Sequence, residues 1–183
     1  TMISTTGITR EGLLENVPDL PDGKYFIKEL ATNSQYILND EEYDFEVSYK
    51  GKDITEYIIK ITENGTVDNK LARGSIQVKK VDTLDENKKL ENIEFNISVD
   101  KDMKKVIKTE KTNNEGIATF SDLELGTYYI QEKSQVDGYT LNNTIYQVEV
   151  KENGDCLVIT CENKPTEATF TKVDETGVKE IPG

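Results

Sequence analysis

The sequence predicts an all-β fold, a sandwich of short strands, and three observations carry that expectation. Apolar and polar residues alternate with a period of two over short runs, the pattern of half-buried strands. Turn residues punctuate those runs at Pro21-Asp22-Gly23, Asn64-Gly65, Asn114-Glu115-Gly116, Leu125-Gly126 and Asn153-Gly154. No stretch sustains a helical period, and nine Tyr and five Phe without any Trp suit pleated strands better than helices. Short strands between regularly spaced turns pack as two layers.

Composition narrows what such a fold can do. The 183 residues suffice for one or two domains. Asp plus Glu number 35 against 22 Lys plus Arg, a formal net charge of -13. That balance repels polyphosphate and no basic stretch relieves it, so nucleic acid is not an expected partner. Apolar runs extend only a few residues, far short of a membrane span, and no signal peptide is recognisable. The chain is therefore expected to be a piece of a longer protein. Histidine is absent, which removes the commonest general base, the Ser/His and Cys/His nucleophile pairs and most zinc sites.

Cys156 and Cys161 are the two cysteines, five apart in one predicted strand. Extended, their Cα atoms would lie roughly 16 Å apart, beyond disulfide reach, and they point to opposite faces. Both are read as free thiols, with Cys161 buried as a small hydrophobe.

The chain also repeats itself. Residues 23–47, GKYFIKELATNSQYILNDEEYDFEV, align without a gap to residues 126–150, GTYYIQEKSQVDGYTLNNTIYQVEV. The stretch IQVKKVDTLDENKKLENIEF at 76–95 in turn resembles TFTKVDETGVKEIPG at 169–183. The expected organisation is the later part of a first unit at 1–69, a complete unit at 74–163, and the first strand of another at 166–183. Lys70–Gly74 and Lys164–Glu167 form the joints.

Within the complete unit, three strands each end an apolar row with a polar residue. Ile76, Val78 and Lys80 share one face; so do Tyr128, Ile130 and Glu132; so do Leu157, Ile159, Cys161 and Asn163. An ammonium, a carboxylate and an amide could meet at one end of the sandwich. Each position also has a plainer reading. Lys80 could snorkel its amine to solvent, Glu132 could sit on the rim, and Asn163, before Lys164-Pro165, could open a turn. A buried Lys–Glu ion pair is an intermediate option.

The ordered strings GSIQVKKVD, LGTYYIQEK and ITCENKP, with DNKLARGSI as the joint to the preceding unit, resemble the Cna protein B-type domains of Gram-positive surface adhesins and pilins. These are SpaA-like domains with a prealbumin-like, inverse immunoglobulin-like Greek-key sandwich. The resemblance implies an intramolecular isopeptide bond with Lys80 as nucleophile, Asn163 as electrophile and Glu132 as assisting acid. It implies a second, incomplete triad of Glu29, Asn69 (with Asn64 as the alternative) and Lys172. It further implies a structural stalk, attached to the wall of a Gram-positive cell, and no turnover of a substrate. Burial favours the neutral forms of a lysine and a glutamate, and rigid positioning then lets an amine attack an otherwise inert amide. No cofactor is needed.

The expected partners are neighbouring domains of the same array, and another copy of the chain whose Lys172 strand fills the vacant first-strand slot of the first unit. The alternative function is an adhesin module that binds a host glycan or protein directly, with the extra residues around Tyr49–Tyr57 as its candidate surface. Asn39-Asp40-Glu41-Glu42 lacks EF-hand spacing and is read as a solvated turn rather than a calcium site.

Overall fold

The structure, a computed structural model, describes residues 7–10, 13–15, 20–49, 62–134, 136–167 and 176. Lys172, most of the stretch 166–183 and all but the first residue of Tyr49–Tyr57 lie outside the described residues. The chain divides into two compact units, Thr1–Lys70 and Leu71–Gly183. All the regular elements among the described residues are strands.

In the first unit, β1 (Ile8–Arg10) pairs antiparallel with β2 (Leu13–Glu15). Likewise β3 (Gly23–Lys28) pairs antiparallel with β4 (Glu42–Val47). Alternation half-buries Tyr25 and Ile27 while Lys24, Phe26 and Lys28 face outward. Tyr25 and Phe45 stand directly opposite in register. Their rings stack with centroids 5.6 Å apart, a cross-strand aromatic pair that fixes the alignment.

Among the described residues, the second unit is a sandwich of seven strands. These are β5 (Arg73–Asp82), β6 (Glu94–Ser98), β7 (Val106–Lys111), β8 (Ile117–Glu124), β9 (Gly126–Glu132), β10 (Tyr146–Val150) and β11 (Cys156–Asn163). One sheet has the order β10-β9-β6-β7, the other β11-β5-β8. Between them the inward residues form one core, including Ile76, Val78, Phe95, Ile97, Phe120 and Ile130, each with no exposed surface. Burying that apolar area is the main favourable term in the unit's stability. Strand β5 begins at Arg73, inside the expected joint.

Strand β11 lies parallel to β5, and eight residue pairs run in register from Ser75↔Cys156 to Asp82↔Asn163. All other strand pairs in this unit are antiparallel. The first and last strands are thus neighbours that point the same way. Cys156 is exposed and Cys161 is buried, and neither is in a disulfide.

Candidate functional site

Four buried side chains meet where β5, β9 and β11 end. Lys80 follows the apolar inward row of β5, one place before buried Asp82, while Glu132 closes the inward row of β9 and Cys161 and Asn163 that of β11. Their relative exposures are 0%, 4%, 0% and 1%, which rules out a snorkelling lysine and a rim glutamate. The backbone holds Lys80 as firmly as its neighbours do. Its N–H donates to the Gly116 carbonyl at 2.7 Å. Gly116 has φ +73°, and a Cβ there would stand 2.8 Å from the Lys80 carbonyl oxygen. Glycine meets both demands at the start of β8.

The Lys80 ammonium has three N–H donors, and three acceptors surround it. Glu132 Oε2 lies at 3.2 Å, the Cys161 carbonyl at 3.2 Å and Cys161 Sγ at 3.3 Å. The other carboxylate oxygen, Glu132 Oε1, accepts from Asn163 Nδ2 at 2.9 Å. Lys80 and Asn163 are therefore bridged by one carboxylate in a water-excluded setting, where charge interactions are strong. Asn163 Oδ1 is the exception. It is buried without a hydrogen-bond partner among the described residues, an omission that costs about 1–3 kcal/mol and calls for a reason.

The structure brings together all three residues that the sequence singled out, and adds two more side chains. Cys161 stands opposite Lys80 in the β5–β11 register, so its thiol and carbonyl both reach the amine. Burial pushes this thiol above its ordinary range. Asn142, in the loop before β10, donates through Nδ2 to Cys161 Sγ (3.5 Å), to the Glu162 carbonyl (2.8 Å) and to Tyr146 Oη (3.3 Å). Burial, with a hydrogen bond to Cys161 behind it, pushes the Tyr146 phenol up to about 12. A surface pocket of about 410 Å³ opens beside Asn163, lined by Thr83, Thr140, Asn142, Tyr146 and Glu162 among others.

A matching pair is present in the first unit. Asn69 Nδ2 donates to Glu29 Oε1 at 2.8 Å, as Asn163 does to Glu132. Glu29 Oε2 accepts from the Asn39 N–H at 2.9 Å. The Asn69 bond, followed by the Asn39 one, holds the Glu29 carboxyl below its ordinary range. No ammonium touches Glu29 among the described residues. The alternative, Asn64, is occupied in a turn, accepting from Thr62 Oγ1 at 2.9 Å and the Thr66 N–H at 3.1 Å. Lys172 lies outside the described residues.

Of the expected solvated turn, Asp40, Glu41 and Glu42 are exposed and Asn39 is not. It is half-buried and bonded to Tyr43 Oη at 2.9 Å. The signal for both loop asparagines was in the repeat, where YILNDEEY aligns with YTLNNTIY. Among the described residues, no three or more His, Cys, Asp or Glu side chains cluster so as to hold a metal ion.

Comparison with known proteins places this geometry in context. A family model described as SpaA, prealbumin-like fold domain, matches residues 2–64 and 74–165. Among solved structures, the Bacillus anthracis TIE protein is 34% identical with a TM-score of 0.62, over 79% of this chain and 25% of that one. BcpA, the major pilin subunit of Bacillus cereus, is 24% identical with a TM-score of 0.44, over 54% of this chain and 32% of that one. GBS52, the minor pilin of Streptococcus agalactiae, is 19% identical with a TM-score of 0.46, over 85% and 66%. The chain thus spans a quarter of the TIE protein and a third of BcpA. A search of curated proteins finds no match.

Proposed function

The chain belongs to the SpaA family of prealbumin-like fold domains, and on that premise we propose that it is a structural stalk module of a Gram-positive surface adhesin or pilin, stabilised by an autocatalytic Lys80–Asn163 isopeptide bond. The observation that carries this reading is the buried contact of Lys80 and Asn163 with the two oxygens of one carboxylate, Glu132. A buried ion pair is weak evidence for stability on its own. A third, electrophilic group on the same carboxylate gives the pair a chemical purpose.

The atoms balance as follows. Lys80 passes one proton to Glu132 across 3.2 Å, leaving a neutral amine beside an amide. A half-turn of the Asn163 side chain presents Oδ1, which lacks a partner, to the newly protonated carboxyl. The amine attacks Cγ, the carboxyl stabilises the oxygen that gains charge, and a tetrahedral intermediate forms. The amine's second excess proton and the carboxyl's proton then divide between two places. One leaves with the Asn163 nitrogen as neutral ammonia; the other stays on Glu132. One C–N bond forms, one breaks, and the core stays uncharged overall. The pocket beside Asn163 gives the ammonia a way out. The chemistry runs once per molecule, so the module is not an enzyme in the ordinary sense.

The same reading extends to the array. The later part of a unit at 1–69, the complete unit at 74–163 and the first strand at 166–183 belong to successive modules of one extracellular, wall-attached shaft, and neighbouring modules are its first partners. The Glu29–Asn69 pair supports a second crosslink that awaits a lysine-bearing strand, for which Lys172 of another copy is a candidate.

Intact-mass measurement of the denatured chain tests the proposal. The wild type should weigh one ammonia less than its sequence, and Lys80→Met/Glu132→Gln should recover that mass. The double change removes both charges together, since stranding one partner of a buried pair costs about 3–5 kcal/mol. It should also lower the thermal midpoint by roughly 20–30 °C, from a loop-closure contribution of about 4–5 kcal/mol in a domain of this size. A wild-type chain of full mass refutes the bond.

A further inference from the structure

Asn142 is neither a member of the triad nor an ordinary turn residue. Its side-chain amide is fully engaged. Oδ1 accepts from the Thr144 N–H at 2.9 Å, while Nδ2 donates to the Glu162 carbonyl and to Tyr146 Oη. Two residues earlier, the Thr140 N–H donates to the Lys164 carbonyl at 3.0 Å. One loop therefore holds the carbonyls on either side of Asn163. The Asn163 carbonyl itself accepts from the Thr83 N–H at 3.1 Å.

The first unit repeats this arrangement with a different sequence. Asn39 Oδ1 accepts from the Glu41 N–H at 3.1 Å, and Nδ2 donates to Tyr43 Oη and, at 3.5 Å, to the Asp68 carbonyl. The Ile37 N–H donates to the Lys70 carbonyl at 2.8 Å. The carbonyls flanking Asn69 are bracketed just as those flanking Asn163 are. The loops YILNDEEY and YTLNNTIY share only the two Tyr, Leu and Asn, and two of those four, the Asn and the second Tyr, are the side chains of the bracket.

Position explains the need. Asn163 is the last residue of β11, paired with the last residue of β5, and strand ends fray. A reacting amide must stay within a few tenths of an ångström of its nucleophile, and a displacement of about 1 Å costs on the order of a hundredfold in rate.

We propose that Asn142 is a positioning residue for isopeptide formation, fixing the strand end that carries Asn163, and that Asn39 fixes the segment that carries Asn69. This rests on the crosslink reading above. It adds a requirement that the triad alone does not contain.

The test follows ammonia loss by intact mass after cell-free synthesis of the full chain, which supplies a starting time. Asn142→Asp keeps the acceptor for the Thr144 N–H but removes both donors. Asn142→Ala removes them without adding charge. Both should slow ammonia loss by about ten- to a hundredfold, at temperatures where Cys161 stays protected from thiol reagents and the fold is therefore intact. Thr144→Ala, which leaves every bond of Asn142 in place because only the Thr144 backbone N–H takes part, should stay within about twofold of wild type. Wild-type rates in both Asn142 variants, beside normal ammonia loss in the wild type, would overturn this role and leave the crosslink standing. A wild-type chain that never loses ammonia removes both. Asn142 variants with Cys161 unprotected would make Asn142 a folding residue, and equally refute the separate role.

Discussion

Pulling the second unit from its ends should reveal a missing length. Tension applied at Arg73 and at Asn163 acts in opposite directions along β5 and β11, because the two strands are parallel neighbours and these residues lie toward opposite ends of the pair. An isopeptide bond between Lys80 and Asn163 would divert the load from the eighth residue of β5 straight to the end of β11. The residues from 81 to 162, a stretch of 162 − 80 = 82, would never be stretched. At about 3.4 Å per residue they represent roughly 280 Å of contour length. Single-molecule force spectroscopy, with the unit set between marker domains, reads this directly. Wild type should show no extension event of that size at any force below covalent rupture. The Lys80→Met/Glu132→Gln chain should show one, after shear rupture of the eight-pair β5–β11 ladder. A full event of about 280 Å in a chain already shown by mass to have lost ammonia would refute the load path.

Two further outcomes follow from the same geometry. In the folded protein a thiol reagent should label Cys156 alone, since Cys161 is buried, and both cysteines should react after denaturation; two labels under native conditions would contradict the packing around Lys80. Asp82 should govern part of the acid limb of stability. The Leu84 N–H at 2.7 Å, and beyond it Tyr139 and Lys88, hold its carboxyl below the ordinary value of 3.8. A carboxyl depressed in the folded state stabilises above its unfolded pKa and loses that contribution as pH falls through the folded one. Asp82→Asn should therefore lower stability at neutral pH and flatten its decline below about pH 4. An unchanged acid limb in chemical denaturation would count against it.

Much of this site was legible in the sequence because β-strands have a period of two. Once Ile76 and Val78 are inward, Lys80 must be inward as well, and the same logic fixes Glu132 and Asn163. The repeat supplied Glu29, whereas Asn69, outside the aligned stretch 23–47, rested on the resemblance and left Asn64 as an alternative. Register between distant strands was not legible, since nothing local to GSIQVKKVD or CLVITCEN says that they lie side by side and parallel. That pairing is what sets Cys161 against the Lys80 amine. Asn142 and Asn39 escaped for another reason. Asparagine in a loop ordinarily serves its own backbone, as both do through Oδ1, and only the fold shows that Nδ2 reaches a distant segment, β11 for Asn142 and Asp68 for Asn39.

The parallel pairing of β5 and β11 also bears on which residues are free to change. If load crosses from Lys80 to Asn163, tensile strength depends on one short length of β5, one side-chain linkage and the end of β11. Strands β6, β7 and β10 then enclose the reaction chamber without carrying force. Substitutions on their outward faces, where Thr109, Lys111, Gln147 and Glu149 are exposed, would alter what the surroundings meet while leaving the strength of the cable untouched. A shaft built this way can renew its outer coat and keep its wire.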